Sequence, residues 1–101
     1  LVHNPQVLVL DEPTNGLDLR ARHQLLTILR RLAQAGTTLL LVTHQIEAII
    51  PEVSRCVLLQ NGAVVGDGPA AELLCDQPLS ELFRTPLRMI EAGGWRQVLP
   101  G

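Results

Sequence analysis

The stretch Val7-Leu-Val-Leu-Asp11-Glu12-Pro13 constrains this chain more than any other. Four apolar residues in a row are the pattern of a strand buried on both faces in a parallel sheet. The run ends in two adjacent carboxylates, and Pro13 stops it. Ligands of open parallel sheets bind at the carboxyl ends of the strands. Asp11 and Glu12 are therefore a candidate metal and catalytic site. A polar turn after a core strand accounts for one carboxylate comfortably. It accounts for two less well, because like charges side by side repel and call for something positive nearby.

Composition removes several alternatives. With 101 residues there is room for one small domain. An apolar share of 47% against 18% charged marks a globular chain and not a disordered one. The formal net charge of -2 argues against binding nucleic acid by phosphate neutralisation. One Phe and one Trp are too few for a base-stacking platform. Apolar runs such as Leu39–Val42 are strand-sized, shorter than a membrane span, and no signal peptide is recognisable. Cys56 and Cys75 lack metal-ligand spacing, and Cys56 reads as a small buried hydrophobe. A reducing, cytoplasmic location fits two such cysteines. There is no lysine, all eight basic residues being arginine, so a phosphate-binding loop of the form GxxxxGK[ST] is excluded. That absence, and a first residue that is Leu1 and not Met, point to the C-terminal part of something longer.

Taken in order, Leu1-Val2-His3 reads as the last turn of a helix broken at Asn4-Pro5, with His3 on its surface. After the opening strand, Asn15-Gly16 makes a turn and Asp18 is placed as an N-cap. Leu19 to Ala35 reads as a helix whose core stripe is Leu25, Ile28, Leu29 and Leu32, stopped at Gly36. His23 and the helix arginines read as a solvated face. Thr37 to Thr43 is a second buried strand, so strand, helix and strand make a βαβ unit. It delivers His44 at its carboxyl end, which makes one site more probable than two coincidences. Gln45 to Ile50 reads as a short helix closed by Pro51. Ser54 to Leu59 and Ala63 to Gly66 make a hairpin on Asn61-Gly62. Pro69 is expected at the first position of a helix running over Ala70 to Cys75. Pro78 to Phe83 is a further short helix, and Leu87–Ile90 with Trp95–Leu99 form a weak terminal hairpin.

VLVLDEPTNGLD resembles the Walker B and D-loop segment of ATP-binding cassette (ABC) ATPases. The layout that follows, down to LLQNGAVVGDGPAAELL, is similar to the end of a transporter ATPase subunit. The resemblance covers residues 1–83, with 84–101 a tail carrying no recognisable motif. It implies an α/β fold: a partial P-loop NTPase core with a mostly parallel sheet, plus a C-terminal β-hairpin and short helices. The whole chain, 1–101, would be the C-terminal part of one ABC ATPase domain. By the same resemblance Asp11 supports Mg²⁺, through a coordinating water, and Glu12 orients and polarises the attacking water. His44 is the switch histidine that contacts the γ-phosphate, in place of the satisfied core or capping histidine it would otherwise be. Asp18 is the D-loop aspartate facing the partner subunit of a nucleotide-sandwich dimer. For Glu12, proximity to Asp11 and desolvation favour the neutral form, while Mg²⁺ and basic groups favour the charged one.

The P-loop, Gln-loop and signature motif of that family are absent. In the family a strand from the P-loop lies between the strand ending at His44 and the one over Ser54–Leu59. The sheet here should therefore have two unpaired edges. ATP and Mg²⁺ are expected as cofactors only together with the missing N-terminal half, and the isolated chain is expected to be inactive. The implied function is that of an ATP-binding and hydrolysing subunit of an ABC transporter. Its implied partners are a second ATPase subunit and a membrane permease, and its place is cytoplasmic, peripheral to the membrane through that permease. No nucleic-acid partner is expected. Two other readings remain: a non-enzymatic remnant or interaction module, and a soluble ABC-class ATPase of DNA repair or translation. Low basicity argues against the second.

Overall fold

The computed structural model describes residues 6–101; the readings made for Leu1–Pro5, His3 included, lie outside the described residues. The chain divides after Glu52 into two compact units. Among the described residues there are three two-stranded sheets, one in the first unit and two in the second.

The first unit is the βαβ element. Strand β1 (Val7–Asp11), helix α1 (Leu19–Gln34) and strand β2 (Thr38–Val42) follow in order. The strands pair in parallel, Val7 opposite Thr38 through to Asp11 opposite Val42. Helix α1 starts where Asp18 Oδ1 accepts the Ala21 N–H at 2.8 Å, satisfying one of the orphan donors of the first turn. Its C-cap is Ala35, and Gly36 follows at φ +99°, the left-handed position that ends many helices. The buried side chains of α1 are Leu26 and Leu29. Leu25 and Leu32 are half-buried, and Ile28 is 51% exposed. The expected stripe is thus rotated: at 100° per residue Leu25, Leu26 and Leu29 centre the apolar arc, and Ile28 falls off its rim.

The strands differ from expectation more sharply. They are not buried on both faces. Side chains alternate, and parallel partners share a face. Leu10, Leu39 and Leu41 are half-buried on one side. On the other, Val7 is 66%, Val9 61%, Leu40 55% and Val42 47% exposed. A four-residue apolar run predicts two covered faces only when layers exist on both. Among the described residues the first unit contains one α-helix, α1, and one helix covers one face.

Past β2 the chain makes a 3-10 turn over Ile46–Ala48, shorter than the helix expected over Gln45–Ile50. Ile46, Ala48 and Ile50 are buried, so the segment is held by its alternating apolar side chains. Arg30 Nε then bonds both Glu52 oxygens, at 2.9 and 3.0 Å, tying this segment to α1.

In the second unit, β3 (Arg55–Gln60) and β4 (Ala63–Pro69) form the predicted hairpin. Asn61 and Gly62 both adopt positive φ, 51° and 76°, as a type I′ turn demands. A bulge falls between Leu58 and Leu59. Helices α2 (Ala70–Leu73) and α3 (Asp76–Phe83) follow. Pro69 is the residue before α2 and not its first position, and α2 is shorter than expected. The core of this unit is Leu58, Ala70, Leu74 and Leu79. Cys56 is half-buried; burial pushes its thiol up, with the charge of Arg96 opposing. A second antiparallel hairpin, β5 (Leu87–Ala92) and β6 (Trp95–Pro100), turns on Gly93-Gly94. Ser80 of α3 anchors it, its Oγ accepting the Leu87 N–H at 2.9 Å. The α/β class therefore holds, while the parallel part of the sheet is confined to β1–β2; β3–β4 and β5–β6 are antiparallel. Among the described residues each strand has one partner.

Candidate functional site

The two parallel strands end level with one another, and both deliver polar groups there. Immediately after β1, Glu12 takes φ +45°, a left-handed conformation unusual for a residue with a side chain. Its N–H continues the ladder to Val42 O at 2.7 Å, and its own carbonyl accepts the Asn15 N–H at 3.1 Å. The backbone is thus tied on both sides of the strained residue.

This twist brings the Glu12 carboxylate to the residues just after β2. Thr43 Oγ1 donates to Oε2 at 3.0 Å. The His44 backbone N–H donates to Oε1 at 2.8 Å, and His44 Nδ1 lies 2.5 Å from the same oxygen. A carboxylate only accepts, so the fitting tautomer carries its proton on Nδ1 and leaves Nε2 for another group. The His44 side chain is 72% exposed, open to such a group. Burial pushes the Glu12 carboxyl up, but the hydrogen bonds from the His44 side chain, the His44 backbone and Thr43 outweigh it. The net effect is a carboxyl below its ordinary range, so the charged form is the one this environment selects.

The structure thus brings two of the predicted residues, Glu12 and His44, into direct contact. Asp11 is exposed, and strand alternation places it on the face of Val7 and Val9. Its side chain makes no hydrogen bond or ion pair among the described residues. Asp18 caps α1 as expected. Three residues of the site were not singled out from sequence: Thr43, Gln45 and Thr14. Gln45 N–H donates to Thr43 Oγ1 at 3.0 Å, and Thr14 Oγ1 donates to Gln45 Oε1 at 3.0 Å.

Among the described residues no group of three or more His, Cys, Asp or Glu side chains could hold a metal ion. Both Glu12 oxygens are engaged by protein donors. What the ends of β1 and β2 offer a cation is the carboxylate of Asp11. That suits Mg²⁺, which keeps several waters and is held by one or two carboxylates together with substrate phosphates. It does not suit an ion that needs an all-protein cage.

A parallel βαβ unit with an acid and a histidine meeting at its carboxyl edge belongs to the class of open α/β nucleotide-handling folds. Comparison with known proteins narrows the class. A family model described as an AAA domain, of the AbiEii toxin, Type IV TA system kind, matches residues 1–49. The ABC transporter ATP-binding protein YlmA of Bacillus subtilis is 39% identical over 99% of this chain and 37% of its own length. The hemin import ATP-binding protein HmuV of Bradyrhizobium diazoefficiens is 35% identical over 97% of this chain and 37% of its own. The cobalt import ATP-binding protein CbiO of Rhodobacter capsulatus is 47% identical over 72% of this chain and 26% of its own. A solved chain described as a metal-chelate type ABC transporter in an inward-facing conformation superposes with a TM-score of 0.79. It is 26% identical, with 95% of this chain and 40% of that one covered. The chain belongs to the family of ABC transporter ATP-binding proteins. It spans little more than a third of the length of the relatives it matches over nearly its whole length.

Proposed function

We propose that these residues form the C-terminal part of one ATP-binding and hydrolysing domain of an ABC transporter subunit. The observation that carries the reading is the meeting of Glu12 and His44 at the carboxyl ends of adjacent parallel strands. Glu12 orients and polarises the attacking water, and its ionised form is the one able to accept a proton from it. His44 contacts the γ-phosphate through Nε2. Nδ1 is turned to the Glu12 carboxylate, so Nε2 is the ring nitrogen that faces outward to a ligand. Asp11 would hold Mg²⁺, through a water, and the ion would supply charge neutralisation for the transferring phosphoryl group. Asp18, besides capping α1, faces a second ATPase subunit. A membrane permease is the other partner, which places the subunit on the cytoplasmic side of a membrane. Among the described residues no helix is long and apolar enough to cross a membrane.

The chain has no lysine and no phosphate-cradling glycine loop. By itself it neither binds ATP appreciably nor turns it over. Joining these 101 residues to the portion of the Bacillus subtilis relative that they do not span should restore Mg²⁺-dependent ATP turnover. In that chimera Glu12→Gln should lower turnover by about 100-fold or more, the usual weight of a general base. A folded chimera whose turnover is indifferent to Glu12→Gln would remove Glu12 from its role. Turnover by the isolated chain above its own Glu12→Gln control would overturn the claim that it is inactive alone.

A further inference from the structure

Thr14 is a buried polar side chain, 3% exposed, in a loop whose neighbours Asn15 to Asp18 are all exposed. Its hydroxyl is spent on Gln45, 31 residues away. Gln45 is held at three points: its side chain by Thr14, its N–H on Thr43 Oγ1, and its carbonyl by the Ala48 N–H at 3.1 Å. A hydroxyl has one proton to give and two lone pairs to accept with. The Gln45 N–H takes a lone pair of Thr43, which leaves the single proton directed at Glu12 Oε2. Donating and accepting at once also strengthens both bonds.

We infer that Thr14 and Gln45 are positioning residues for Glu12, acting through the Thr43 hydroxyl to fix where the carboxylate points beside His44. Thr14 also accepts the Leu17 N–H on its carbonyl at 3.2 Å, so it belongs to the loop that leads to Asp18. A shift of that loop is passed through Gln45 to Thr43 and so to Glu12. The plainer account is a buried threonine paired with whatever acceptor lay within reach, since leaving it unpaired is expensive. That account expects only a loss of stability when the bond is removed. Positioning expects a local change at Glu12 and His44 with the rest of the unit intact.

The inference rests on the proposed role of Glu12, but its test reads hydrogen bonds and not turnover, so either can fail alone. Amide exchange and ¹H–¹⁵N spectra are recorded on the 101-residue chain and on Thr14→Val, Thr14→Ser and Gln45→Ala. The His44 amide donates to Glu12 Oε1, so it reports whether the carboxylate is held. In Thr14→Val and Gln45→Ala it should exchange roughly two- to tenfold faster, the effect of one net hydrogen bond. Its resonance should move, while the Leu26 and Leu29 amides of α1 stay as they were. Thr14→Ser keeps the hydroxyl and should match the parent. Uniform acceleration of all amides, or a Thr14→Ser that behaves like Thr14→Val, would overturn the inference. If Thr14→Val fails to fold, the half-buried Gln45 decides: an unchanged His44 amide in Gln45→Ala ends it.

Discussion

At the scale of the residue, Asp11 and Glu12 show how neighbours in sequence come to do different work. Side by side they read as two like charges needing a counter-charge. In the structure Asp11 keeps the strand's alternation and faces solvent, while the left-handed turn at Glu12 directs its carboxylate to Thr43 and His44. Of the donors that hold Glu12 down, His44 was legible as a strand-end residue of the same site, while Thr43 was not, because it lies 31 residues away and no local pattern announces it. Threonine before histidine at a strand end is the only hint, and by itself it is weak. Asp18, by contrast, was legible as a cap, because capping is local: the acceptor and the N–H it serves are three residues apart. Asp18→Ala should cost about 1 kcal/mol of stability, and Asp18→Asn much less, since Asn caps as well as Asp. Denaturant melts of the two variants check this. Equal losses would show that the charge of Asp18 matters and its cap does not.

At the scale of the element, what could be read were the local rules. The I′ turn at Asn61-Gly62, the stop at Gly36 and the bounds of α1 all fell where the residues indicated. What could not be read was which side of an element meets a neighbour. Ile28 obeys the 3.6-residue spacing yet lies exposed, because the arc of α1 is set by what it packs on and not by its own pattern. The clamp between α1 and the segment after β2 was likewise invisible, since Arg30 and Glu52 are 22 residues apart. The Arg30 guanidinium holds the Glu52 carboxyl down at about 2, with burial opposing and Gln34 assisting. A carboxyl depressed in the folded state contributes stability that is complete above its ordinary value of 4.5 and is lost as pH falls through about 2. Glu52→Gln should therefore melt below the parent at pH 7, and the two should converge as the buffer is taken from pH 4.5 towards pH 2. A gap between them that persists unchanged at the acid end would mean that Glu52 stabilises the unit by something other than its charge.

At the scale of the molecule, the open face of β1–β2 follows from the same physics that made the strands legible. A run such as Val7–Leu10 carries apolar side chains on both faces because, in a parallel sheet, both are normally covered. Here α1 covers one, and Val7, Val9, Leu40 and Val42 line the other. An apolar surface of this kind drives association in water, and the strand edges beside it, unpaired among the described residues, add a template for pairing. Polar replacements on that face should relieve the first without harming the fold. Exposed positions away from caps and cores change stability by no more than about 0.5 kcal/mol each. Threonine is β-branched and keeps the strand preference of the residue it replaces. Val9→Thr with Leu40→Thr should therefore lower the binding of a hydrophobic dye and the concentration-dependent light scattering of the purified chain, with its melting temperature nearly unmoved. Unaltered scattering in the double variant would assign association to the strand edges instead. A large fall in melting temperature would mean that Val9 and Leu40 are packed in solution, and that the face is covered after all.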